Sequence, residues 1–230
     1  MGQIIELTAS DGHTFSAYRA EPSGSPRGGV VVLQEIWGVN DHIRRVTDGY
    51  AAEGYLAIAP ALFDRVERNL AMDAYTPETR TRGFATMQKV EHSQALLDIG
   101  AAVAAASPVG KVGVVGFCFG GRLAWLSAAR IDGISAAVAY YGGGIPGMVA
   151  EQPRCPVIFH FGERDQNIPI EAVKTFSQAH PSLPVYIYPA DHGFNCDQRG
   201  AWEPDCAKLA NGRTLEFLGN LLEHPATTGH

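Results

Sequence analysis

Short apolar runs alternate with amphipathic segments through most of this 230-residue chain. The runs at residues 30–33, 55–60, 111–117, 134–141, 156–161 and 185–188 have the length of strands. The segments at residues 40–53, 87–106, 119–130, 170–179 and 204–222 have the length and capping signals of helices. This alternation predicts an α/β fold, with a predominantly parallel sheet and helices on both faces.

Two parts of the chain depart from that alternation. Residues 3–8 and 14–20 alternate apolar and polar positions around an Asp11-Gly12 turn signal, which predicts an antiparallel hairpin at one edge of the sheet. Residues 62–86 show only weak periodicity, and we expect an excursion over the sheet there. Such excursions often cover binding sites.

Composition indicates one soluble globular domain over residues 1–230. Apolar residues make up 46% of the chain and charged residues 18%, and no run is long enough to span a bilayer. The formal charge of −6, without a basic face, argues against nucleic acid but allows a small anionic substrate. Because the N-terminus does not resemble a secretory signal, we expect a cytoplasmic protein.

A glycine-rich turn follows the apolar run at residues 111–117. Its pattern, Gly116-x-Cys118-x-Gly120, has the spacing of the nucleophile elbow of α/β-hydrolases, with sulfur in place of the usual serine oxygen. Small flanking residues permit the strained strand-to-helix turn, and the helix start favours a thiolate. The alternative is a small buried apolar cysteine beside an ordinary turn.

An acid and a histidine complete the chain order expected after such an elbow. Asp165 follows the strand predicted at residues 156–161, and His192 follows the last predicted strand. This is the nucleophile, acid, histidine order of α/β-hydrolases. Asp191 is a rival acid, but as the neighbour of His192 it is better placed to bond to its own backbone. The sequence therefore predicts a Cys118, Asp165, His192 triad.

The end of the strand predicted at residues 30–33 contributes further candidates. Glu35 and Trp37 follow it directly, at the edge where open α/β sheets place their sites. Glu35 is therefore a candidate for the active site, the alternative being a solvated loop carboxylate. The backbone N–H groups of Ile36 and Phe119 are the candidate oxyanion hole.

The remaining histidines and cysteines give weaker signals. His160 lies within a predicted strand and is interpreted as a core or near-site histidine. We interpret six others as surface residues: His13, His42, His92, His180, His224 and His230.

The sequence contains four cysteines and no C-x-x-C pair, which favours free thiols in a reducing compartment. The only zinc ligands worth considering are Cys196, Cys206 and His192, and their spacing matches no structural zinc pattern. We therefore predict neither a metal site nor a cofactor.

Taken together, the motifs resemble those of the dienelactone hydrolase (carboxymethylenebutenolidase) family over nearly the whole chain. The resemblance implies the α/β-hydrolase fold and the triad named above. It also implies that Glu35 contacts the resting thiol and is displaced when substrate binds. The matching motifs are Gln34-Glu-Ile-Trp-Gly-Val-Asn40, Lys111-Val-Gly-Val-Val-Gly-Phe-Cys-Phe-Gly-Gly121, Gly162-Glu-Arg-Asp165 with Ile168-Pro169, and His192-Gly-Phe194.

The resemblance also implies a substrate carboxylate held by two arginines and a tyrosine. Arg80 and Arg82 lie where the first arginine is expected, with Arg82 the better match. Thr86 stands where the tyrosine is expected, and Cys196 stands where the second arginine is expected. Arg199, on the same loop, is a candidate substitute.

These observations predict a cofactor-independent cysteine hydrolase that opens a small lactone or activated ester through an acyl-thioester. The resemblance also implies a role in the degradation of aromatic compounds. One alternative is a general carboxylesterase or thioesterase acting on neutral esters. Another is a non-catalytic relative that senses a ligand or an oxidant. The oligomeric state, monomer or dimer, is left open.

Overall fold

A computed structural model describes residues 2–223, which form one eight-stranded sheet flanked by helices. The strands lie in the order β1-β2-β4-β3-β5-β6-β7-β8. β1 and β2 form the predicted antiparallel hairpin, β2 pairs antiparallel with β4, and every later pair is parallel. The strands are β1 (Gln3–Thr8), β2 (Thr14–Ala20), β3 (Gly29–Leu33), β4 (Leu56–Pro60), β5 (Val112–Phe117), β6 (Ile134–Tyr140), β7 (Val157–Gly162) and β8 (Val185–Tyr188).

Six α-helices accompany this sheet: α1 (Asp41–Ala52), α2 (Pro77–Met87), α3 (His92–Ala106), α4 (Phe119–Arg130), α5 (Ile170–Ala179) and α6 (Pro204–Leu222). The side chains of β3 show why its sequence is apolar throughout. Val30 and Val32 pack into a core that includes residues of α1 and α6, whereas Val31 and Leu33 pack into a second core with α3. The predicted α/β fold with helices on both faces is confirmed. None of the helices within residues 2–223 combines the length and hydropathy needed to cross a bilayer.

The excursion at residues 62–86 contains a helix that the sequence analysis missed. α2 begins at Pro77, with Thr76 as N-cap in a reciprocal capping box with Thr79. Of its residues only Gly83 and Thr86 are buried, so it has too little apolar periodicity to be recognised. Residues 88–91 separate it from α3, and the helix predicted to start at residue 87 therefore starts at His92.

Two of the histidines interpreted as surface residues are buried. His42 is 3% exposed and His180 is 7% exposed, the latter packed against Phe176 and Trp125. The prediction was wrong because His42 lies on the buried face of α1, whereas His180, the residue after α5, packs its ring against core aromatic side chains. His160 is fully buried, as predicted. His13 and His92 are partly exposed, and His224 and His230 lie outside the described residues.

A buried ion pair ties the excursion to α3. Arg65, at the end of a 3₁₀ turn (Leu62–Arg65), contacts Asp98 through two bonds, Nη2 to Oδ1 at 2.7 Å and Nε to Oδ2 at 2.9 Å. The Asp98 side chain is fully buried and that of Arg65 is 9% exposed. Removing one member of such a pair leaves the other charge buried without adequate compensation.

We therefore expect Asp98→Ala to lower the free energy of unfolding by about 3 kcal/mol, because Arg65 keeps only its second, more exposed partner, Asp11. Urea denaturation measures the change. The matched control is Asp132→Ala, which breaks the Arg154 pair at a side chain 91% exposed and should change stability little. Equal effects of the two substitutions would contradict the structural role of the buried pair.

Candidate active site

Cys118 occupies the sharp turn between β5 and α4. Its backbone has φ 56° and ψ −111°, a strained conformation for a residue with a side chain. The turn is tight because the backbone at the start of α4 lies very close to the ends of β5 and β3. A Cβ on Gly116 would lie 1.9 Å from the Gly120 oxygen, and a Cβ on Gly120 would lie 2.3 Å from the Leu33 oxygen. Both glycines are therefore required by space, and the predicted elbow is present.

The structure brings the three predicted triad side chains into one hydrogen-bonded row. His192 Nε2 lies 3.1 Å from Cys118 Sγ, and His192 Nδ1 lies 2.6 Å from Asp165 Oδ2. The other carboxylate oxygen, Oδ1, accepts a hydrogen bond from the Asn167 backbone at 2.8 Å, which fixes the orientation of Asp165. The rival acid, Asp191, is exposed and its nearest cation is Arg164 at 3.8 Å.

The charges of this row favour a protonated imidazole. Burial alone would lower the pKa of His192, but the charge and hydrogen bonds of Cys118 and Asp165 outweigh it and raise the pKa to about 10. An imidazolium between a carboxylate and a sulfur stabilises the sulfur as a thiolate. A sulfur and an imidazole in hydrogen-bond contact, with a carboxylate behind the ring, have the geometry that nucleophilic catalysis needs.

Glu35 is buried beside this row, but its partner is not the one expected. Its carboxylate is 2% exposed and accepts a hydrogen bond from Arg199 Nη1 at 3.1 Å. Among the described residues Glu35 makes no hydrogen bond to Cys118, whose sulfur bonds to His192 instead. A buried carboxylate gains more from a guanidinium than from a thiol, which explains the difference. Arg199 also lies 4.9 Å above the ring of Trp37.

The two arginines of α2 point in different directions. Arg82 forms an ion pair with Glu67 at the protein surface and is 55% exposed, so the structure does not bring it to the triad. Arg80 lines the cleft above His192. Residues two apart on a helix are rotated by about 200°, so only one of the two can face the cleft. Thr86 is buried, and its hydroxyl donates to the Arg82 carbonyl at 2.9 Å.

An open cleft of about 1020 Å³ lies over His192, between α2 and the loops after β7 and β8. Tyr75 and Phe84 line this cleft, and nothing in the weakly periodic excursion marks them in the sequence. The Tyr75 ring packs 4.7 Å from that of Trp37, and its hydroxyl accepts from Asn40 Nδ2 at 3.0 Å. The lining also includes Thr76, Pro77, Arg80, Thr81, Gln88, Arg164, Gln166, Asn167 and Arg199.

Cys196 lies beneath the cleft floor, next to Tyr75 and Glu35. Burial and the negative charge of Glu35 raise the pKa of its thiol to about 11. Cys196, Cys206 and His192 do not form a ligand group among the residues that the structure describes. Within residues 2–223, one group of three possible metal ligands does form, and it consists of Glu35, His42 and Cys196.

Comparison with known proteins finds relatives over nearly the whole chain. The model of the dienelactone hydrolase family matches residues 15–222. A putative carboxymethylenebutenolidase of Azospirillum brasilense is 38% identical over 93% of this chain and 96% of its own length. The carboxymethylenebutenolidase of Pseudomonas putida is 34% identical over 94% of this chain and 96% of its own. The crystal structure of a putative dienelactone hydrolase from Klebsiella pneumoniae has a TM-score of 0.80 at 32% identity, covering 94% of this chain and 98% of that one.

The close approach at the elbow predicts a large difference between two glycine substitutions. Gly120→Ala should destabilise the protein by more than about 4 kcal/mol, because the new methyl group meets backbone atoms that cannot move independently. In Gly100→Ala, within α3, the methyl group finds no atom within 4 Å, and stability should rise by up to about 1 kcal/mol. Thermal and urea unfolding of the two variants measure both effects. A well-folded Gly120→Ala protein would contradict the described elbow.

The raised pKa of His192 predicts its titration. The ring should lose its proton near pH 10 in the wild type and at lower pH in Cys118→Ala, as followed by NMR of the ring nitrogens. His160 is an internal control, because burial and Arg213 lower its pKa to about 3 and it should stay neutral. The stability that the His192 proton contributes is complete below pH 6.5 and disappears as the pH rises through 10. A His192 ring that is already neutral at pH 8 would refute an ion pair between His192 and Asp165.

Proposed function

The chain belongs to the dienelactone hydrolase family, and from this premise we propose that it hydrolyses a small lactone or activated ester with Cys118 as nucleophile. The observation that supports this most directly is the row from Cys118 Sγ through His192 to Asp165, at 3.1 and 2.6 Å. His192, the middle residue of this row, lines a cleft large enough for a small molecule. The proposed chemistry uses these side chains alone and needs no cofactor.

In the proposed first step the Cys118 thiolate attacks the acyl carbon and forms a tetrahedral oxyanion. The N–H groups of Ile36 and Phe119 are proposed to stabilise that oxyanion. Phe119 is the first residue of α4, so its N–H has no acceptor within the helix and is free for this role. The oxyanion collapses as the carbon–oxygen bond to the leaving group breaks, and an acyl-thioester remains on Cys118.

His192 moves the protons in both halves of the reaction. In the first half its Nε2 proton goes to the leaving oxygen, which in a lactone stays attached to the acyl group. In the second half the neutral ring accepts a proton from water as that water attacks the thioester. The acid product then leaves and restores the thiolate–imidazolium pair. Asp165 holds the ring through Nδ1 and stabilises its charge.

Recognition of an acidic substrate is proposed to depend on Arg199, with Arg80 at the opposite wall of the cleft. Arg199 is already turned inward and pairs with Glu35, so an incoming carboxylate would take the place of Glu35. Trp37 and Tyr75 would supply an apolar wall for the rest of the substrate. Arg82, paired with Glu67 at the surface, is not assigned to this task.

A second candidate is an esterase or thioesterase for neutral substrates. It is favoured by the same residues that depart from the expected carboxylate site. Cys196 and Thr86 carry no charge that could hold a carboxylate, and Arg82 points away from the cleft. Arg199 does turn inward, but its guanidinium is already paired with Glu35.

Steady-state hydrolysis of cis- and trans-dienelactone and of p-nitrophenyl acetate tests the proposal. Cys118→Ala should lower kcat on every substrate by about 10³-fold or more, since no nucleophile remains. Arg199→Met should raise KM for the lactones about tenfold or more and change the neutral ester little. Arg82→Met is the matched control and should leave all parameters near wild type. Rapid acid quench and mass spectrometry should reveal acylated Cys118.

The outcomes separate the candidates. Turnover of the neutral ester alone, with no effect of Arg199→Met, would select the general esterase. Ligand binding without product release, in a preparation with a free Cys118 thiol, would indicate a sensing relative. Full activity in Cys118→Ala would refute the proposed nucleophile.

A further inference from the structure

Three potential metal ligands from distant parts of the chain meet in the interior of the protein. Glu35 follows β3, His42 is the second residue of α1, and Cys196 belongs to the loop after β8. Their ligand atoms all lie within 4.8 Å of one another, and all three residues are buried. Buried carboxylate, imidazole and thiol groups gathered in this way are not explained by the proposed hydrolysis, which uses only Glu35.

His42 supplies an independent observation. The residue is 3% exposed, and its Nδ1 lies 3.2 Å from Asp197 Oδ1. Its Nε2 is buried and has no hydrogen-bond partner within residues 2–223. A buried ring nitrogen without a partner is unfavourable unless something else satisfies it. With Nδ1 engaged by Asp197, Nε2 is the nitrogen left for a ligand.

We propose that Glu35, His42 and Cys196 form a binding site for a divalent cation of the zinc class. Thiolate, imidazole and carboxylate are the ligand types that zinc takes in proteins, and three of them leave a fourth position for water. The contact between His42 and Asp197 is the carboxylate–histidine arrangement that orients a metal-bound imidazole. Two anionic ligands would balance the charge of the cation.

The geometry requires only a modest adjustment. Ligand atoms around tetrahedral zinc are separated by about 3.5 Å, so the group must contract by roughly 1 Å, which side-chain rotation can supply. On binding, the Cys196 proton leaves to solvent and the sulfur binds as thiolate. Arg199 competes with the cation for the Glu35 carboxylate. It bonds only to Oε1, so Oε2 is left for the cation.

This site goes beyond the proposed function and can be tested without turnover. The reduced, metal-free full chain is titrated with Co²⁺ and, separately, with Zn²⁺. We expect one Co²⁺ per chain, with a near-ultraviolet thiolate-to-cobalt charge-transfer band, and calorimetry should give the same stoichiometry for Zn²⁺. Cys196→Ser should abolish the band. His42→Gln, which keeps the thiol, should weaken Co²⁺ binding about tenfold or more.

Two cysteine variants are the matched controls. Cys206→Ser leaves the proposed ligands intact and should retain the band. Cys118→Ser should also retain the band. This control is needed because Cys118 and His192 are also a cysteine–histidine pair, which could itself bind Co²⁺. The proposal is overturned if the wild type gives no thiolate band. It is equally overturned if the band survives in Cys196→Ser or disappears in Cys118→Ser.

Discussion

The close approach of α4 to the ends of β3 and β5 is the constraint on which the site depends. The Gly120 backbone donates to the Gln34 carbonyl at 3.0 Å, and the space between Gly120 and Leu33 admits no side chain. This contact fixes the Cys118 turn relative to the loop that carries Glu35 and Ile36. The spacing between Cys118 and the opposite wall of the site is therefore set by backbone packing and not by flexible side chains.

Two hydrogen-bonded networks of charged side chains lie beside this contact, and within residues 2–223 no hydrogen bond joins them. In one, the His192 ring bonds to Cys118 on one side and to Asp165 on the other. In the other, Glu35 is paired with Arg199. Each buried charge has a partner in its own network, which is the condition for keeping charges inside a protein. The separation explains why the thiol can bond to His192 while an additional carboxylate lies buried nearby.

The sequence was informative wherever a function depended on local chain geometry. The elbow and the alternation of strands and helices are local patterns, and the order of Cys118, Asp165 and His192 follows from the strands that precede them; the structure contains all three features. Side-chain partners that only tertiary packing brings together are harder to predict from the sequence. Choosing between Arg80 and Arg82 required the helical phase of α2, and the short capping box that starts this helix was not recognised. The environments of Glu35 and His42 likewise depend on groups more than a hundred residues away.

Position 196 shows how one substitution can connect these features. The family resemblance places an arginine there, whereas this chain has a cysteine there and Arg199 on the same loop. That exchange removes a positive charge from the neighbourhood of His42 and introduces a soft ligand. Arg199 and the proposed cation would then both bind the Glu35 carboxylate. A cation bound to Glu35 would weaken its hold on Arg199 and so favour an acidic substrate. By thermodynamic reciprocity, a substrate carboxylate on Arg199 would release Glu35 and tighten the cation by the same factor.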